Sequence, residues 1–491
     1  MTKIFAPRSA ATAKEAMRGK AHPVPAEHLE RVSSWGGVNS GVSYVFRPGN
    51  IESLQEVLVL GTRSGRSIGL RGGGNSYGDA AMNNENIVVD LRRMNRIQEW
   101  DPASGIVRLE PGVTLSQLWQ TVIEDGWWPP VSTGTSFTTI GGSAAMNVHG
   151  KNAYQVGPLG DHILEFDLLL ASGEIITCSR DENRDVFHAA IGGFGMLGVF
   201  TSLTLQMKRV YSGLLDVETC SRADLGEMLA FFEESVDRSD YVVGWIDSLA
   251  GGRSAGRGDV HRANYLAQGV DPNPSQSLRL DQQHLGPNLF GLVPRSIMWL
   301  FLRPFTNNTG MRLINQGKYL AGKLAGKKRY LQPHARFHFL LDYVPDFKRA
   351  YEPGGLIQYQ PFVPRENAHH TFHELLSLCL RRGLPNYLTV LKRHRADDFL
   401  LSYGVDGYSL AMDFRITNEN RNRMIWLARE MDEIVLNANG RFYFAKDSTL
   451  RPEVVESYLG ADRIAEFRAL KQRCDPGEIF QTNLWRRLFR Q

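Results

Sequence analysis

Apolar and polar positions alternate or cluster in short runs along this chain, and glycine-rich turns separate them. Ser67-Ile68-Gly69-Leu70 and Ile87-Val88-Val89-Asp90-Leu91 are short apolar runs bounded by turn residues, the pattern of buried strands. Ile51 to Leu58 instead repeats its apolar positions at helical spacing after a polar start, and Leu115 through Glu124 reads as an amphipathic helix. Val107 to Val113 is a strand closed by Pro111-Gly112. Ile163 to Ala171, turning at Ser172-Gly173, and Thr201 to Met207 read as further strands. Strand, helix, glycine-rich loop and strand in short succession predict an α+β nucleotide-binding module. In the second half, strands are expected at Tyr241 to Asp247, Arg336 to Tyr343, Leu356 to Val363, Tyr387 to Arg393, Tyr408 to Phe414 and Arg441 to Ala445. Helical patterns lie between them at His370 to Arg382 and Glu419 to Asn437, which predicts an antiparallel sheet flanked by helices.

Composition narrows the class. A chain of 491 residues is too long for one ordinary core, so two domains or two closely packed subdomains are expected. The 42% hydrophobic and 22% charged content is that of a globular protein, and no apolar run approaches a membrane span. The N-terminus lacks a long hydrophobic signal core, and residues 1 to about 35 read as a mixed polar arm or short helix. Cys178, Cys220, Cys379 and Cys474 are far apart with no CxxC pair, as free thiols in a reducing, cytoplasmic compartment would be, and nothing suggests a metal site. A net charge of +4 makes no case for nucleic acid.

Three glycine clusters carry the candidate chemistry. Leu70-Arg71-Gly72-Gly73-Gly74-Asn75-Ser76-Tyr77-Gly78-Asp79 follows one predicted strand and precedes another. Its backbone is free to take φ > 0, so its N–H groups can form a concave nest for an anion such as a pyrophosphate. A tight turn between two strands is the plainer alternative. The second cluster contains Gly134, then Thr139-Ile140-Gly141-Gly142-Ser143-Ala144-Ala145-Met146-Asn147-Val148-His149-Gly150-Lys151-Asn152, where small residues let the backbone pass close to something flat, or to another element. The third runs from Ile191 through Gly198 and Val199 into a strand. Each alone is a weak motif, whereas three in order within the first 200 residues are not.

Ser76-Tyr77-Gly78-Asp79, His149-Gly150-Lys151-Asn152, the Gly193 to Val199 cluster, Gly355-Leu356-Ile357-Gln358-Tyr359-Gln360 and Tyr443-Phe444-Ala445-Lys446-Asp447-Ser448 together resemble the vanillyl-alcohol-oxidase type of flavoprotein, which has a p-cresol-methylhydroxylase-like FAD-binding domain. Within it the chain is most similar to the decaprenylphosphoryl-β-D-ribose 2′-oxidases. The resemblance implies a two-subdomain FAD-binding domain over about residues 36–210, a substrate-binding cap over 211–440, and a segment 441–491 that returns to the FAD domain. It places the FAD pyrophosphate over Leu70 to Ala80, the ring along Gly134 to His149, and the adenine end near Gly198-Val199, with Tyr443 touching the flavin. Many relatives attach the flavin to a histidine in the first loop. Asn75 stands there, and its amide is no nucleophile, so the FAD is expected to be non-covalent.

The same resemblance assigns catalysis. Lys446 is the first candidate, either as an ammonium favouring a developing alkoxide or, with its pKa lowered by desolvation, as a base. A surface lysine paired with Asp447 is the plain alternative. His149 lines the active site in the resembling family, although a core histidine would look the same in sequence. Lys151 follows it on the same loop. Gln358 and Gln360 share a strand face and suit a polyhydroxylated ring, and Lys392 suits a substrate phosphate. The family's pattern has a cysteine where this chain has Ala411 and an asparagine where it has Ser409, so the substrate pocket differs there. The implied reaction is oxidation of a secondary hydroxyl on a polyprenyl-phosphate-linked sugar to a keto sugar, one half of an epimerisation in cell-wall or polysaccharide biosynthesis. A short-chain NAD(P)H-dependent reductase would be the partner. The alternatives are a soluble alditol or aldonolactone oxidase using oxygen, and a non-catalytic flavin-fold binder of lipid-linked sugar. Finally, Leu289 to Tyr330 combines Ile297-Met298-Trp299-Leu300-Phe301-Leu302 with eight basic residues from Arg295 to Arg329. Such a mixture suits peripheral contact with an anionic inner membrane, or a cap helix with a solvated basic face.

Overall fold

The computed structural model describes residues 23–286, 288–289 and 293–490. The expected N-terminal arm lies outside the described residues up to residue 22. Beyond that point it is corrected, because Leu29–Ser33 is a strand paired with Ser40–Phe46. Val32 on that strand turns inward against Val45, Met82 and Val88, and this small apolar cluster gives the segment its place.

A four-stranded sheet orders Leu29–Ser33, Ser40–Phe46, Ile87–Asp90 and Ile68–Arg71, and its last two pairings are parallel. Parallel strands need a crossover, supplied here by the Ile51–Ser64 helix. An Asn50–Ser53 capping box starts that helix, and Gly65 at φ 66° ends it. It buries Leu54, Val57 and Leu58 against Ile68, Ile87 and Val89. The five-stranded neighbour orders Ile97–Asp101, Ile106–Leu109, Val199–Gln206, Ile163–Leu169 and Ile175–Ser179, antiparallel throughout.

The second half forms a nine-stranded antiparallel sheet. Its central strands run Leu214–Arg222, Gly258–Tyr265, Tyr241–Ile246, Leu388–His394 and Gly407–Arg415. The Leu225–Ser235, Arg365–Arg381 and Arg421–Asn437 helices accompany it. The overall class is the expected α+β.

Three predicted strands need correction. Arg336 to Tyr343 is not extended: His334–His338 is a short helix, followed by a 3-10 turn at Leu340–Tyr343. Its buried residues His334, Ala335, His338 and Phe339 recur at helical spacing, which the alternation reading overlooked. Leu356 to Val363 divides into Leu356–Tyr359 and Pro361–Pro364, broken where Pro361 has no N–H to donate. Arg441 to Ala445 stops pairing at Phe442, because Lys446 N–H donates to the Tyr443 carbonyl at 3.0 Å and curls the chain into a turn.

The C-terminal segment packs on the first two sheets. Phe467 stacks near Phe194 with centroids 6.1 Å apart. Buried Lys471 donates to the carbonyls of Met196 and Phe480 at 2.8 and 2.7 Å and pairs with Asp475. Among the described residues, no helix is long and apolar enough to cross a membrane.

Candidate active site

A cavity of about 530 Å³ lies between the glycine loops and one face of the nine-stranded sheet, a size that suits a small-molecule ligand. Its two walls are built differently. The first is largely main chain, from residues 70–77, from the 132–146 region, and from Phe194, Gly195 and Phe200. The N–H groups of Gly73, Gly74, Asn75 and Ser76 find no acceptor among the described residues, so four donors stand ready for an anion. Gly74 takes φ +66°, and a Cβ on Gly72 would overlap Thr139 Oγ1. That hydroxyl is committed, since it caps the Ile140–Ala145 helix by accepting from Gly142 N–H at 3.4 Å. The loop therefore approaches its neighbour as closely as glycine permits. Asn75 donates its side-chain amide to the Phe137 carbonyl at 3.1 Å.

Some predicted cofactor residues stand behind this wall. Gly78 is pressed on the Asp447 carbonyl, and Asp79 pairs with Arg487 at 2.7 Å. Ile140 is in the core. Asn147, at φ 45°, accepts from Gly160 N–H at 2.9 Å through its side chain and from the Tyr403 hydroxyl through its carbonyl. Gly198 precedes and Val199 begins the strand behind Phe194 and Gly195, with Val199 packed on Leu169 in the core. Gly134, Thr139, Gly141, Gly142, Met146, Val148, His149 and Tyr443 reach the cavity.

The second wall is made of side chains. Residues opposite one another on antiparallel strands project to the same face. Trp245 lies opposite Val390, Val390 opposite Ala411, Lys392 opposite Ser409, and Gln358 opposite Asp413. This face carries Lys392, Ala411 and Gln358 into the cavity, and the adjacent Gln360 joins them. Lys446 enters from the turn after Phe442, its ammonium 3.9 Å from the Tyr77 ring centroid. Burial lowers its pKa to about 7, against the pull of Asp413, and Lys392 adds to the lowering. Asp413 itself is fully buried, and burial raises its carboxyl pKa above the ordinary carboxylate range. Its Oδ1 accepts from Gln358 at 2.5 Å, while Oδ2 has no partner among the described residues. Burial also lowers Lys392, to about 8.

His149 is held neutral by burial first, then by the fields of Lys392, His394 and Lys446. Its Nε2 lies 3.0 Å from the Gln360 amide nitrogen, which is 3.2 Å from Ser409 Oγ, and Ser409 reaches His394 at 2.8 Å. Ser409 therefore sits behind the cavity and orients Gln360. His149 Nδ1 has no partner among the described residues. Lys151 is nearly enclosed, and its ammonium is spent on the carbonyls of Phe337 and His338, holding the short His334–His338 helix. Sequence reasoning missed Asp413, Trp245, His261 and Lys318. The first three sit on strands whose facing partners set their direction. Lys318 stands beside the inward stripe 311, 315, 319, 322 of its helix, where spacing along the chain does not mark it.

The unpaired amides, the glycine-only approach and the orphaned His149 Nδ1 fit a dinucleotide with a large flat ring. A family model described as an FAD binding domain matches residues 42–179, the segment that supplies most of the main-chain wall. The chain is thus an FAD-dependent oxidoreductase whose residues 42–179 match an FAD-binding domain. Among named proteins it is 28% identical to the decaprenylphosphoryl-beta-D-ribose oxidase of Mycolicibacterium smegmatis, over 94% of this chain and 97% of that one. Lactone oxidases match less of it. The D-arabinono-1,4-lactone oxidase of Yarrowia lipolytica is 29% identical over 38% of this chain and 36% of its own length. The L-gulonolactone oxidase of Mus musculus is 28% identical over 40% and 43%.

Proposed function

We propose that this chain oxidises a secondary hydroxyl of a polyprenyl-phosphate-linked sugar to a ketone, as one half of an epimerisation. The observation that carries this reading is the charge of the cavity. Among the described residues lining it, Arg71, Lys318 and Lys392 bring positive charge, Lys446 adds a basic amine, and no carboxylate is exposed there. A phosphate-bearing substrate complements such a site, whereas a neutral polyol or lactone leaves its charge unmatched. The near full-length likeness to an enzyme named for a phosphoryl-sugar supports the same choice.

Residues 36–210 would hold the FAD, 211–440 would form the cap over the substrate, and 441–491 return to bring Lys446 into the cavity. Gly73 to Ser76 bind the pyrophosphate through their free N–H groups, and Asn75, lacking a nucleophile, leaves the cofactor non-covalent. Bound FAD supplies the hydride acceptor at N5. Lys446, poised near neutrality by burial, takes the hydroxyl proton as a free amine. Asp413 beside it then stabilises the resulting ammonium. Neutral His149, held by Gln360 and Ser409, lines the site beside the reacting group, and Gln358 and Gln360 orient the sugar hydroxyls. Lys392, on the same sheet face, adds positive charge to the substrate side. A short-chain NAD(P)H-dependent reductase would consume the keto product.

Anaerobic mixing of the holoprotein with a prenylphosphoryl pentose tests the reading. Bleaching of the flavin band at about 450 nm is the expected result. Bleaching by free alditols or aldonolactones alone would transfer the chain to the other oxidase class. No bleaching by either would leave a non-catalytic binder.

The cap carries Ile297, Leu300, Phe301 and Phe305 on its surface, all 39% or more exposed, near Arg303 and Arg312. We assign this patch to peripheral contact with an anionic inner-membrane surface. Flotation with anionic liposomes should fall when Leu300 and Phe301 become serine, and unchanged flotation removes the assignment.

A further inference from the structure

The cavity has an end that neither the FAD cradle nor the Lys446 group uses. There the Asn308–Ala325 helix lies against the strands of the nine-stranded sheet and directs Lys318 inward. Its ammonium sits 3.6 Å from the centroid of the Trp245 ring. His261, on the next strand opposite Val243, lines the same end. The carboxylate that acts on Lys318 is Asp259, but its Oδ1 already accepts from Ser221 Oγ at 2.7 Å, and no ion pair joins it to Lys318 among the described residues. The ammonium thus faces the cavity resting on an aromatic surface, a weak partner that an anion would outcompete.

Resting on the substrate reading above, we propose that Lys318, Trp245 and His261 form a distal subsite for the phosphate ester of the substrate, separate from the Lys446 end where the hydroxyl reacts. The Trp245 strand lies two strands from the one bearing Asp413, about 10 Å across the sheet, so a sugar ring fits between the reacting end and a phosphate at Lys318. Lysine suits this role because a compact ammonium binds phosphate as a point charge. Burial lowers Lys318 only to about 8, so it stays mostly cationic at neutral pH. Burial lowers His261 to about 4, so its ring is neutral and offers one N–H to the same anion.

Titration of the holoprotein with inorganic phosphate, followed by calorimetry and by Trp245 fluorescence, tests the subsite without turnover. Phosphate should displace the ammonium from the indole and change its emission, and Trp245→Phe should remove that signal. Lys318→Met should weaken phosphate binding about tenfold. Lys318→Arg, which keeps the charge, should stay within about threefold of the parent. Acetate at equal ionic strength should not compete. Unchanged phosphate binding in Lys318→Met with an intact flavin spectrum overturns the proposal, as does acetate binding as tightly as phosphate. If the titration fails while prenylphosphoryl pentose still bleaches the flavin, the subsite alone is wrong. If phosphate binds through Lys318 but the lipid sugar does not bleach the flavin, the subsite stands and the substrate reading falls.

Discussion

The two walls of the cavity solve opposite problems. The glycine wall offers uncharged N–H groups, and its requirement is closeness: Gly72 has no room for a Cβ beside Thr139 Oγ1. The sheet wall uses charged side chains and keeps them out of bulk water, so that burial rather than proximity sets their behaviour. Lys446 and Lys392 both lose basicity there. The main-chain wall thus presents groups that do not titrate, while the lysines of the sheet wall are shifted toward neutrality. The walls are fastened where they meet: Tyr77 N–H donates to the Ala445 carbonyl at 2.9 Å, and Arg487 pairs with both Asp79 and Asp447 at 2.7 and 2.8 Å.

Removing the amine breaks the sheet wall alone. Lys446→Met should cut the rate of flavin reduction by about 10³-fold, about 4 kcal/mol of barrier, while bound FAD and its spectrum persist. Rapid-mixing absorbance measures it, and a parent-like rate would end the assignment of Lys446. Cutting the fastening should weaken both walls together. Arg487→Met leaves two mostly buried carboxylates facing each other and should cost about 3 kcal/mol in denaturant unfolding, with FAD loss tracking unfolding. Disturbing only the glycine wall should spare the chemistry. Gly72→Ala forces Thr139 away from its cap and should reduce FAD affinity about tenfold by flavin-release fluorescence, yet leave the reduction rate of the loaded fraction near the parent's. The smallest effect is one of pH. With Lys446 near 7 and acting as a free amine, the reduction rate should rise about twofold from pH 7 to 8, and Lys446→Met should flatten that rise. Because the folded-state value lies below the ordinary 10.5, the unfolded chain binds more protons between the two, so this lysine's burial costs less stability as pH climbs from about 7 to 10.5.

The glycine wall was legible in the sequence because its physics is local. Runs such as Gly72-Gly73-Gly74 and Gly141-Gly142 mark places where backbone must replace side chain, and short strands on either side fix the loop. The sheet wall was legible residue by residue, as Gln358, Gln360, Lys392 and Lys446, but not as an assembly. Burial and strand pairing, which no spacing along the chain encodes, decided that Ser409 would stand behind Gln360, that Lys151 would be consumed by two carbonyls, and that Asp413 would lie beside Lys446. They decided equally that His334–His338 would coil where alternation suggested a strand. The sequence alone determined that a dinucleotide could be gripped by main-chain amides. Only the tertiary structure determined which ammonium groups lose enough water to shift toward neutrality, because desolvation is a property of the enclosed cavity and not of any one residue.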